Sequence, residues 1–590
     1  MSLLTLNDIF FAVIDRGERV VMMRHTASGW ASISSQEFYR GVSGISKALQ
    51  SWGIATGDRV AILGENRPEW TMADFACLVR GVVSVPLYPT LTPEQMLQIL
   101  QDCGARAVIV SNEKLLQKIL SIRSKTGLER LIIMDAVDAG EAVSVSSLVR
   151  DIPETRDPQL EATARAVRPA DLATIIYTSG TTGIPKGAML THENIAANLS
   201  HSLNGFELDA GELSVSFLPL SHVTARHLDF AMLYHGAVLA YVSSPDQLPR
   251  ALTEVRPTIF VAVPRVYEKI YAQVDAKARG LKRGIYLWAL SVGRAHGAEV
   301  LTGKIPQTAS WKLANRLVFS KIRAAMGGRV QSFLSGGAPL GRELAEWYAD
   351  MGIRIHEGYG LTETSPVIAL NSPQAHKLGT VGKPLGNVEV HIAQDGEILV
   401  RGPSIFQGYW NRPNETGEAF SEGWFKTGDI GKLDEEGYLS VTDRKKDLIK
   451  TSGGKFIAPQ PLENSLKHNP LIAEALIIGD KRKFCSVLIS PSFPVLEQWA
   501  AGKIPIGSRA ELVADPRVQA LYEGIVEQLN ANLAQFEKLK RVLLIAEELS
   551  PENGTLTASL KLRRREVTER YRNLIEKIYS QVQDQTSKRE

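Results

Sequence analysis

The sequence predicts a large α/β protein with a mostly parallel sheet, and three observations support that prediction. Apolar runs at 59–63, 81–87 and 106–110 have the composition of buried strands. A stretch of helical period, 92–101, lies between two of them, and such alternation indicates βαβ units. At 379–441 the pattern changes to short strands with Gly and Pro turns, which predicts a β-rich subdomain.

Two further regions complete this interpretation. Residues 151–170 are polar and contain Pro153, Pro158 and Pro169, which predicts a loop. Residues 446–590 have the size of a small α+β domain of their own. We therefore expect a domain over 1–445 and a second one over 446–590.

Composition and charge exclude several classes of protein. The 590 residues contain 67 Lys and Arg against 64 Asp and Glu, so the net charge of +3 gives no field that would attract nucleic acid. The three cysteines are far apart and lack CxxC spacing, which argues against a disulfide scaffold or a zinc ribbon. The chain has no apolar run of about 18 residues and no basic signal region at its start. These features predict a soluble protein of the cytoplasm.

A loop at 177–187, YTSGTTGIPKG, has the composition of a phosphate-binding loop. It offers backbone N–H groups, hydroxyl donors and one ammonium, which suits the β- and γ-phosphates of a nucleotide. It is not a Walker A loop, because Gly187 follows Lys186 where Ser or Thr would hold the metal. Residues 188–190 resemble a strand and Thr191 is a good N-cap, so we expect the loop to join two strands and a helix to begin only after Thr191. The alternative is a flexible surface loop.

Further motifs follow in a fixed order along the chain. They are SGGAPL at 335–340, EGYGLTET at 357–364, GWFKTGD at 423–429, DRKKDLIK at 443–450, GGK at 453–455 and LTASLK at 556–561. Together with the phosphate loop, this set resembles the adenylate-forming superfamily, which contains acyl-CoA synthetases, beetle luciferases and nonribosomal peptide adenylation domains. The segments LPLSHV at 218–223 and VPRVYEK at 263–269 are similar to its long-chain acyl-CoA synthetase branch.

The resemblance implies an AMP-forming ligase that uses ATP, Mg²⁺ and CoA. A fatty acid carboxylate would attack the α-phosphate of ATP, giving acyl-AMP and pyrophosphate, and CoA would then take the acyl group. The small C-terminal domain would rotate about Lys446 between the two half-reactions. The substrate carboxylate is itself the nucleophile, so catalysis would depend on positioning and on cations that offset the repulsion between two anions.

The resemblance also assigns roles to individual residues. The catalytic ones would be Lys561, Thr362, Glu363 and Lys186, and Glu363 and Thr178 would hold Mg²⁺. The nucleotide would contact Thr178, Ser179, Gly180, Thr181, Thr182, Gly183, Lys186, Gly337, Ala338, Pro339, Glu357, Gly358, Tyr359, Gly360, Thr362, Asp429, Arg444, Lys450 and Lys561. His222 would border the acyl site, and Gly453, Gly454 and Lys455 would lie on the CoA side. Ala558 and Ser559 depart from the Pro-Thr that is common in this family.

Several of these residues have structural alternatives. Glu363 alone would be a surface carboxylate, Asp429 beside Gly428 an Asx-turn residue, and Lys561 a solvated lysine. A lone His222 is more often packed than functional. The charged segment around Lys446 is also typical of a plain linker.

The stretch 277–323 contains ten Lys or Arg and one acid, interleaved with Leu and Trp. This pattern favours contact with an anionic membrane surface, at the inner face of the membrane, as much as a helical insert packed on its own domain. The partners expected are fatty acid, ATP and CoA, with no nucleic acid; the oligomeric state stays open. The alternatives are a ligase for an aryl acid or one that loads a carrier protein, and an inactive lipid-binding relative. The lack of an HExxH motif argues against a zinc hydrolase.

Overall fold

The chain forms two compact units in its computed structural model. The model describes residues 3–178, 185–206, 208–209, 211–452, 455–505, 507–550, 553–557 and 561–586. The first unit comprises Met1–Thr427 and Lys432–Ser440, and the second comprises Gly428–Gly431 and Val441–Glu590. The boundary expected after residue 445 lies close to the start of this last segment and stays a prediction.

Strands of the first unit begin near the N-terminus and recur throughout it; the last two continue into the second unit. In chain order they are β1 (Val20–Thr26), β2 (Gly29–Ser34), β3 (Arg59–Leu63), β4 (Val83–Leu87), β5 (Ala107–Val110), β6 (Arg130–Ile133), β7 (Val143–Ser144), β8 (Leu172–Thr178), β9 (Lys186–Thr191), β10 (Leu213–Ser216), β11 (Val238–Tyr241), β12 (Ile259–Ala262), β13 (Ser332–Ser335), β14 (Ile355–Gly360), β15 (Val367–Leu370), β16 (Lys383–Pro384), β17 (Glu389–Ile392), β18 (Glu397–Arg401), β19 (Phe420–Ser421), β20 (Trp424–Leu433) and β21 (Leu439–Arg444).

The helices of the first unit alternate with these strands. They are α1 (Asn7–Ile14), α2 (Ser35–Ser51), α3 (Pro68–Leu78), α4 (Pro93–Cys103), α5 (Glu113–Leu120), α6 (Val145–Val149), α7 (Pro158–Ala166), α8 (His192–Ser202), α9 (Val223–His235), α10 (Leu248–Val255), α11 (Pro264–Lys277), α12 (Leu281–Leu301), α13 (Ala309–Ala314), α14 (Ser320–Ala325), α15 (Arg342–Ala349) and α16 (Pro413–Ala419). Short 3₁₀ turns cover Arg123–Lys125, Pro245–Gln247 and Thr362–Thr364, and a π-helical turn covers Asn315–Phe319.

Two large sheets organise the first unit. One has the strand order β7-β6-β5-β3-β4-β8-β9 and the other β16-β15-β14-β13-β12-β10-β11-β1-β2. The pairs from β7 to β8 in the first sheet and from β14 to β1 in the second are parallel, which confirms the predicted mostly parallel character. Strands such as β3 and β5 read as continuous apolar runs because a parallel sheet is covered on both faces.

Helices α3 and α9 fill the space between the two sheets. Every residue of α3 is buried, and this helix contacts β1 of one sheet as well as β3 and β4 of the other. A T-shaped aromatic chain runs from Phe38 through Phe75 of α3 to Phe230 of α9, with centroid separations of 5.4 Å. The core of the first unit is therefore continuous from one sheet to the other.

The sheet β17-β18-β20-β19, with β21 paired to β20, forms the β-rich region expected over 379–441. The expectation of a loop at 151–170 was wrong for its second half, where α7 forms. Asp157 caps α7 by accepting a hydrogen bond from the N–H of Gln159, Pro158 occupies the first helical turn, and Leu160 and Ala164 are buried on one face. The prolines suggested a loop, but one of them is a helix-starting residue.

The second unit is an α+β domain built on a small mixed sheet. Its elements are β22 (Ile449–Lys450), β23 (Phe456–Ile457), β24 (Ile472–Ile478), β25 (Cys485–Pro491), β26 (Leu539–Leu544), α17 (Pro459–Lys467), α18 (Phe493–Ala500), α19 (Arg509–Ala514), α20 (Pro516–Asn530), α21 (Arg564–Arg570) and α22 (Arg572–Thr586). The sheet order is β24-β25-β26. Alternate residues of β24 pack on opposite sides, Ile477 with Tyr522 of α20 and Leu476 with Val567 of α21, so helices cover both faces.

Candidate active site

The phosphate loop connects two antiparallel strands, as its sequence predicts. Thr178 of β8 pairs with Lys186 of β9, and Tyr177 pairs with Gly187. A Cβ on Gly187 would lie 2.6 Å from Ile175 Cγ2 and 3.1 Å from Tyr177 Cζ, so close strand packing requires glycine where a Walker A loop has Ser or Thr. The loop residues Ser179, Gly180, Thr181, Thr182 and Gly183 lie outside the described residues.

Thr191 begins the next helix as expected. Its hydroxyl accepts a hydrogen bond from the N–H of Asn194, and the side-chain oxygen of Asn194 accepts one from the N–H of Thr191, which is a reciprocal capping box. Helix α8 thus starts one residue after the strand that carries Lys186. The strand and the helix form one continuous support for the loop.

Glu363 lies in the Thr362–Thr364 turn that follows β14. Its residue is only 9 % exposed, so it is not the surface carboxylate that its sequence in isolation would suggest. The turn is tight because β14 folds back onto β15, and a Cβ on Gly360 would lie 1.7 Å from the carbonyl oxygen of Pro366. Only glycine fits at that approach.

Tyr409 connects the loop lysine to the motif glutamate. The Lys186 ammonium lies 5.4 Å from the centroid of the Tyr409 ring, and the Tyr409 hydroxyl donates a 2.8 Å hydrogen bond to Glu363 Oε1. Residues far apart in the chain therefore meet in one place. Sequence reasoning missed Tyr409, because the Gly-Tyr-Trp segment that contains it has no chemistry-bearing pattern of its own.

Two asparagines of α8 hold the loops around Glu363. Asn198 donates to the carbonyls of Thr364 and Val367, at 3.2 and 2.7 Å, and accepts from the N–H of Val367 at 3.2 Å. Asn194 donates to the carbonyls of Pro403 and Ile405, at 2.8 and 3.0 Å. Sequence reasoning missed both residues, although two buried amides four positions apart on one helix face are a signal that could have found them.

The SGGAPL motif forms the turn after β13, beside β14. Gly337 has a φ of +81°, and Ala338 and Pro339 follow it. Ser335 pairs with Glu357 across the two parallel strands, and the N–H of Leu340 donates to Glu357 Oε2 at 3.2 Å. Burial raises the pKa of Glu357 to about 7, and that hydrogen bond opposes the rise.

Gly358 and Tyr359 complete β14, where both are half-buried. A Cβ on Gly358 would lie 3.0 Å from Leu370 Cδ1 of β15. The motif residues of β14 thus lead directly along the chain into the turn that contains Glu363. The predicted stacking of adenine on Tyr359 stays a prediction.

His222 is the N-cap of α9. Its Nδ1 accepts a 3.2 Å hydrogen bond from the N–H of Thr224, so the ring has a structural role at the start of that helix. A small cavity lies between α9 and β10, and His222 is not one of its lining residues. The cavity is lined by Ser214, Val215, Ser216, Phe217, Leu218, Ala225, Leu228, Asp229, Met232 and Val261.

The carboxyl group of Asp229 is the ionisable member of this lining. It accepts a 2.9 Å hydrogen bond from the Ser216 hydroxyl, and burial raises its pKa to about 7. The cavity wall is otherwise largely apolar.

In the second unit, Asp429 and Arg444 form an ion pair, with Arg444 Nε 2.8 Å from Asp429 Oδ1. Asp429 is buried within β20. Two lysines of this unit lie over phenylalanine rings. Lys450, a predicted nucleotide contact, has its Nζ 5.3 Å from the centroid of Phe456, and Lys455, predicted on the CoA side, has its Nζ 6.0 Å from that of Phe536. Gly453 and Gly454 lie outside the described residues.

Lys561 is exposed, and two hydrogen bonds link its backbone to Thr557. Its N–H donates to the Thr557 hydroxyl at 3.0 Å, and the N–H of Thr557 donates to the Lys561 carbonyl at 2.8 Å. These bonds fix the backbone at Lys561. Ala558 and Ser559, where the sequence departs from the family pattern, lie outside the described residues.

Comparison with known proteins decides the family. The AMP-binding enzyme family model matches residues 12–410, and the model of the AMP-binding enzyme C-terminal domain matches residues 446–583. The chain belongs to the AMP-binding enzyme family.

Curated relatives of this AMP-binding enzyme cover nearly its whole length. The long-chain-fatty-acid–CoA ligase FadD15 of Mycobacterium bovis is 35% identical over 584 residues, covering 96% of this chain and 95% of that protein. The long-chain-fatty-acid–CoA ligase ACSBG2 of Xenopus laevis is 33% identical over 622 residues, covering 98% of this chain and 84% of that protein. These relatives confirm the predicted adenylate-forming ligase class, its long-chain acyl-CoA synthetase branch, and the use of ATP and CoA.

Solved structures confirm the predicted α/β fold. The anthranilate CoA ligase AuaEII, in complex with anthranoyl-AMP, has a TM-score of 0.72 at 20% identity, covering 96% of each chain. The A domain of carboxylic acid reductase from Segniliparus rugosus has a TM-score of 0.75 at 21% identity, covering 99% of this chain and 94% of that one. Among the described residues, none of the helices of this AMP-binding enzyme is long and apolar enough to cross a membrane.

The donor groups predicted to hold magnesium, one carboxylate and one hydroxyl, are chemically suited to that ion. Glu363 offers a carboxylate, Thr178 offers a hydroxyl oxygen, and Mg²⁺ prefers such hard oxygen donors. In the part of the chain that the structure describes, no group of three or more His, Cys, Asp or Glu side chains could hold a metal by itself. This donor set suits Mg²⁺, which is usually bound by one or two carboxylates together with substrate phosphates.

Proposed function

We propose that this AMP-binding enzyme activates a long-chain fatty acid in two steps, using the residues described above. One carboxylate oxygen of the fatty acid bonds to the α-phosphorus of ATP as the bond to the β-phosphate oxygen breaks, and pyrophosphate leaves. The CoA thiol then loses its proton, its sulfur bonds to the acyl carbon, and AMP leaves. The observation that supports this most is the meeting of Lys186, Tyr409 and Glu363 beside the phosphate loop.

The first step requires two anions to approach each other. Lys186 at the end of the loop neutralises the β- and γ-phosphates, and Glu363 with Thr178 would hold Mg²⁺, which supplies further positive charge when bound. The loop residues 179–183 and the turn at 337–339 offer N–H and O–H donors to the nucleotide. Thr362, one position before Glu363, contacts the α-phosphate.

The remaining roles follow from the family resemblance. Tyr359 and its neighbours Glu357, Gly358 and Gly360 bind the adenine. The Asp429–Arg444 pair binds the ribose, since a carboxylate can accept hydrogen bonds from both ribose hydroxyls. His222 borders the acyl site, where each buried methylene of the chain contributes about 0.8 kcal/mol.

The second unit supplies different groups to each step. Lys561 bridges the carboxylate and the α-phosphate in the first step, as a point-charge ammonium can. Rotation about Lys446 then brings Gly453, Gly454 and Lys455 into use on the CoA side, whereas Lys450 contacts the nucleotide. A domain that uses one face in the first step and another in the second would explain why this small unit carries two separate groups of motif residues, one at Lys561 and one at 453–455.

The test separates the two half-reactions. Acid-dependent ATP–pyrophosphate exchange is measured across a series of chain lengths, and thioester formation is measured separately from supplied acyl-AMP and CoA. We expect Lys561→Ala to lower exchange by about 100-fold or more while thioester formation persists. Lys503→Ala, another lysine of the second unit, is the matched control and should change neither rate.

Three outcomes would contradict the proposal. Full exchange in Lys561→Ala removes the central role of that ammonium. No exchange with any fatty acid indicates an inactive lipid-binding protein or an aryl-acid ligase. Exchange without transfer to CoA, but with transfer to a carrier protein, indicates the other acceptor.

We further propose that the enzyme docks on anionic membrane through α12 and the segment after it. Leu281, Ile285 and Trp288 lie at helical spacing along α12 and are 93, 45 and 38 % exposed. Leu313 and Leu317 are exposed on the helical segment packed beside α12. This apolar stripe, defined by these five residues, has no covering element among the described residues of its unit.

Basic side chains surround the stripe. Lys282, Lys312, Arg316 and Lys321 are exposed next to it. An apolar stripe flanked by cations complements the interface of a bilayer with anionic headgroups. A peripheral site of this kind would bring the enzyme to a substrate that partitions into lipid.

Vesicle co-sedimentation tests this surface. Wild-type protein should bind vesicles containing phosphatidylserine more strongly than pure phosphatidylcholine vesicles. Lys282→Glu with Lys312→Glu should abolish that difference, whereas Lys503→Glu should not. Equal binding by the double variant and the wild type would contradict membrane docking here.

A further inference from the structure

Tyr409 separates two opposite charges that the proposed chemistry needs to keep apart. Its ring faces the Lys186 ammonium at 5.4 Å from the centroid, and its hydroxyl donates to Glu363 Oε1 at 2.8 Å. All three side chains are buried or half-buried. Tyr409 therefore makes a cation–π contact with the Lys186 ammonium through its ring and a hydrogen bond with the Glu363 carboxylate through its hydroxyl.

The backbone fixes this ring from two sides. Tyr409 forms a bridge with Ala188 of β9, and its N–H donates to the Thr416 hydroxyl at 2.9 Å. The N–H of Phe406 donates to the Glu363 carbonyl at 2.8 Å, so the same segment also holds the glutamate backbone. The Phe406 ring packs against the Tyr409 ring with centroids 4.9 Å apart.

We propose that Tyr409 is a positioning residue that prevents Lys186 and Glu363 from forming an ion pair. This inference rests on the proposed function, in which Lys186 binds the triphosphate and Glu363 binds Mg²⁺. A lysine has a long, flexible side chain, and the buried carboxylate of Glu363 nearby would attract it strongly. Such a pair would compete with ATP for the lysine and with the metal for the glutamate.

The two contacts of Tyr409 are separable by substitution. Tyr409→Phe keeps the ring between the charges and removes only the hydrogen bond to Glu363. Tyr409→Leu removes the hydrogen bond and also the aromatic face that Lys186 contacts. The first variant should therefore affect the metal side alone, and the second should affect both sides.

Binding of ATP to the full chain, measured by calorimetry with Mg²⁺ and again with EDTA, distinguishes these effects. We expect Tyr409→Phe to weaken ATP binding about tenfold with Mg²⁺ and to leave it within about twofold with EDTA. Tyr409→Leu should weaken binding under both conditions. Adding Glu363→Gln to Tyr409→Leu should restore the affinity measured in EDTA, because the competing carboxylate is gone.

Tyr571→Phe is a matched control, because the Tyr571 hydroxyl also donates to a glutamate, Glu547, at 2.7 Å. It should bind ATP like the wild type. If Tyr409 had only a structural role, its variants would have lower thermal stability, and adding Glu363→Gln to Tyr409→Leu would not improve ATP binding in EDTA. That result, or wild-type binding by both Tyr409 variants, would overturn the inference.

The single variants Lys186→Ala and Glu363→Gln separate this inference from the function beneath it. If they weaken ATP binding and the Tyr409 variants do not, only the role of Tyr409 is refuted. If they leave ATP binding unchanged, the proposed roles of both residues fall, and the inference falls with them.

Discussion

The buried ion pair between Arg226 and Asp74 is expected to be a main stabilising contact of the first unit. The guanidinium of Arg226 on α9 donates two bonds of 2.8 and 2.9 Å and one of 3.1 Å to the Asp74 carboxylate on α3. It also donates to the hydroxyls of Thr174 on β8, at 2.8 Å, and Ser84 on β4, at 3.2 Å. The two side chains are 3 and 1 % exposed.

Arg226→Met would leave the Asp74 carboxylate buried without its partner. Removing one member of a buried pair costs about 3–5 kcal/mol of unfolding free energy. Burial already raises the pKa of Asp74, and Arg226 opposes that rise. Without the guanidinium the pKa of this carboxyl rises further, so the folded variant takes up a proton that the unfolded chain releases.

The loss should therefore depend on pH. A carboxyl group with a raised pKa in the folded state binds its proton more tightly there than in the unfolded chain, where the pKa is about 4. The free energy of unfolding therefore falls by about 1.4 kcal/mol per pH unit as the pH rises from about 4 to the folded-state pKa. The deficit of Arg226→Met relative to wild type should thus be larger at pH 7.5 than at pH 5.5. Urea unfolding followed by tryptophan fluorescence measures it, and Trp70 reports on the site because its ring lies 5.8 Å from the Arg226 guanidinium carbon.

A double variant and a surface control test whether the charge pairing itself stabilises the protein. Arg226→Met with Asp74→Leu removes both charges and should recover much of the loss, because no lone charge stays buried. Arg250→Met breaks the exposed pair with Glu254 and should cost about 0–1 kcal/mol. Two results would show that charge pairing is not what stabilises this site. One is a double variant whose loss of unfolding free energy equals the sum of the losses of the two single variants, and the other is a loss in Arg226→Met that does not change with pH.

Three further predictions follow from other sites. Asn198→Leu removes the bonds to the Thr364 and Val367 carbonyls, so ATP–pyrophosphate exchange should fall about 10–100-fold; an unchanged rate would contradict this positioning role. Burial raises the pKa of Asp229 to about 7, so wild-type stability should fall as pH rises from about 4 to about 7. Asp229→Asn should lack that fall and be the more stable protein at pH 8, and a stability gap that is equal at pH 5 and pH 8 would refute it. Lys446→Pro should impair thioester formation far more than adenylation, and equal losses in the two separate assays would argue against a hinge.

The sequence predicted those parts of the fold that local patterns determine. The apolar runs became β3, β4 and β5, the helical pattern at 92–101 became α4, and Thr191 caps α8. The strand-like residues 188–190 and the N-cap at Thr191 also indicated that the phosphate loop joins two strands. The exception was α7, where a proline in the first turn resembles a loop signal unless its cap is recognised.

The contacts that shape the site could not be predicted in the same way. Tyr409 is 46 residues from Glu363 in sequence, and Asn198 is 166 residues from Thr364. Whether such residues contact each other depends on how the sheets and loops pack in the folded protein. The residues near each of them in one sequence give no local signal for that packing. The buried ion pair of Arg226 with Asp74, 152 residues away in sequence, likewise has no local signal.

The complete burial of α3 has a consequence for how the first unit reaches its native state. An isolated helix of this length is marginal in water, so α3 gains its stability only when both sheets have assembled around it. Nascent chains ending before β10 would expose its apolar circumference and be prone to aggregation. Truncation or domain-shuffling experiments should therefore cut on either side of this whole unit and never within it.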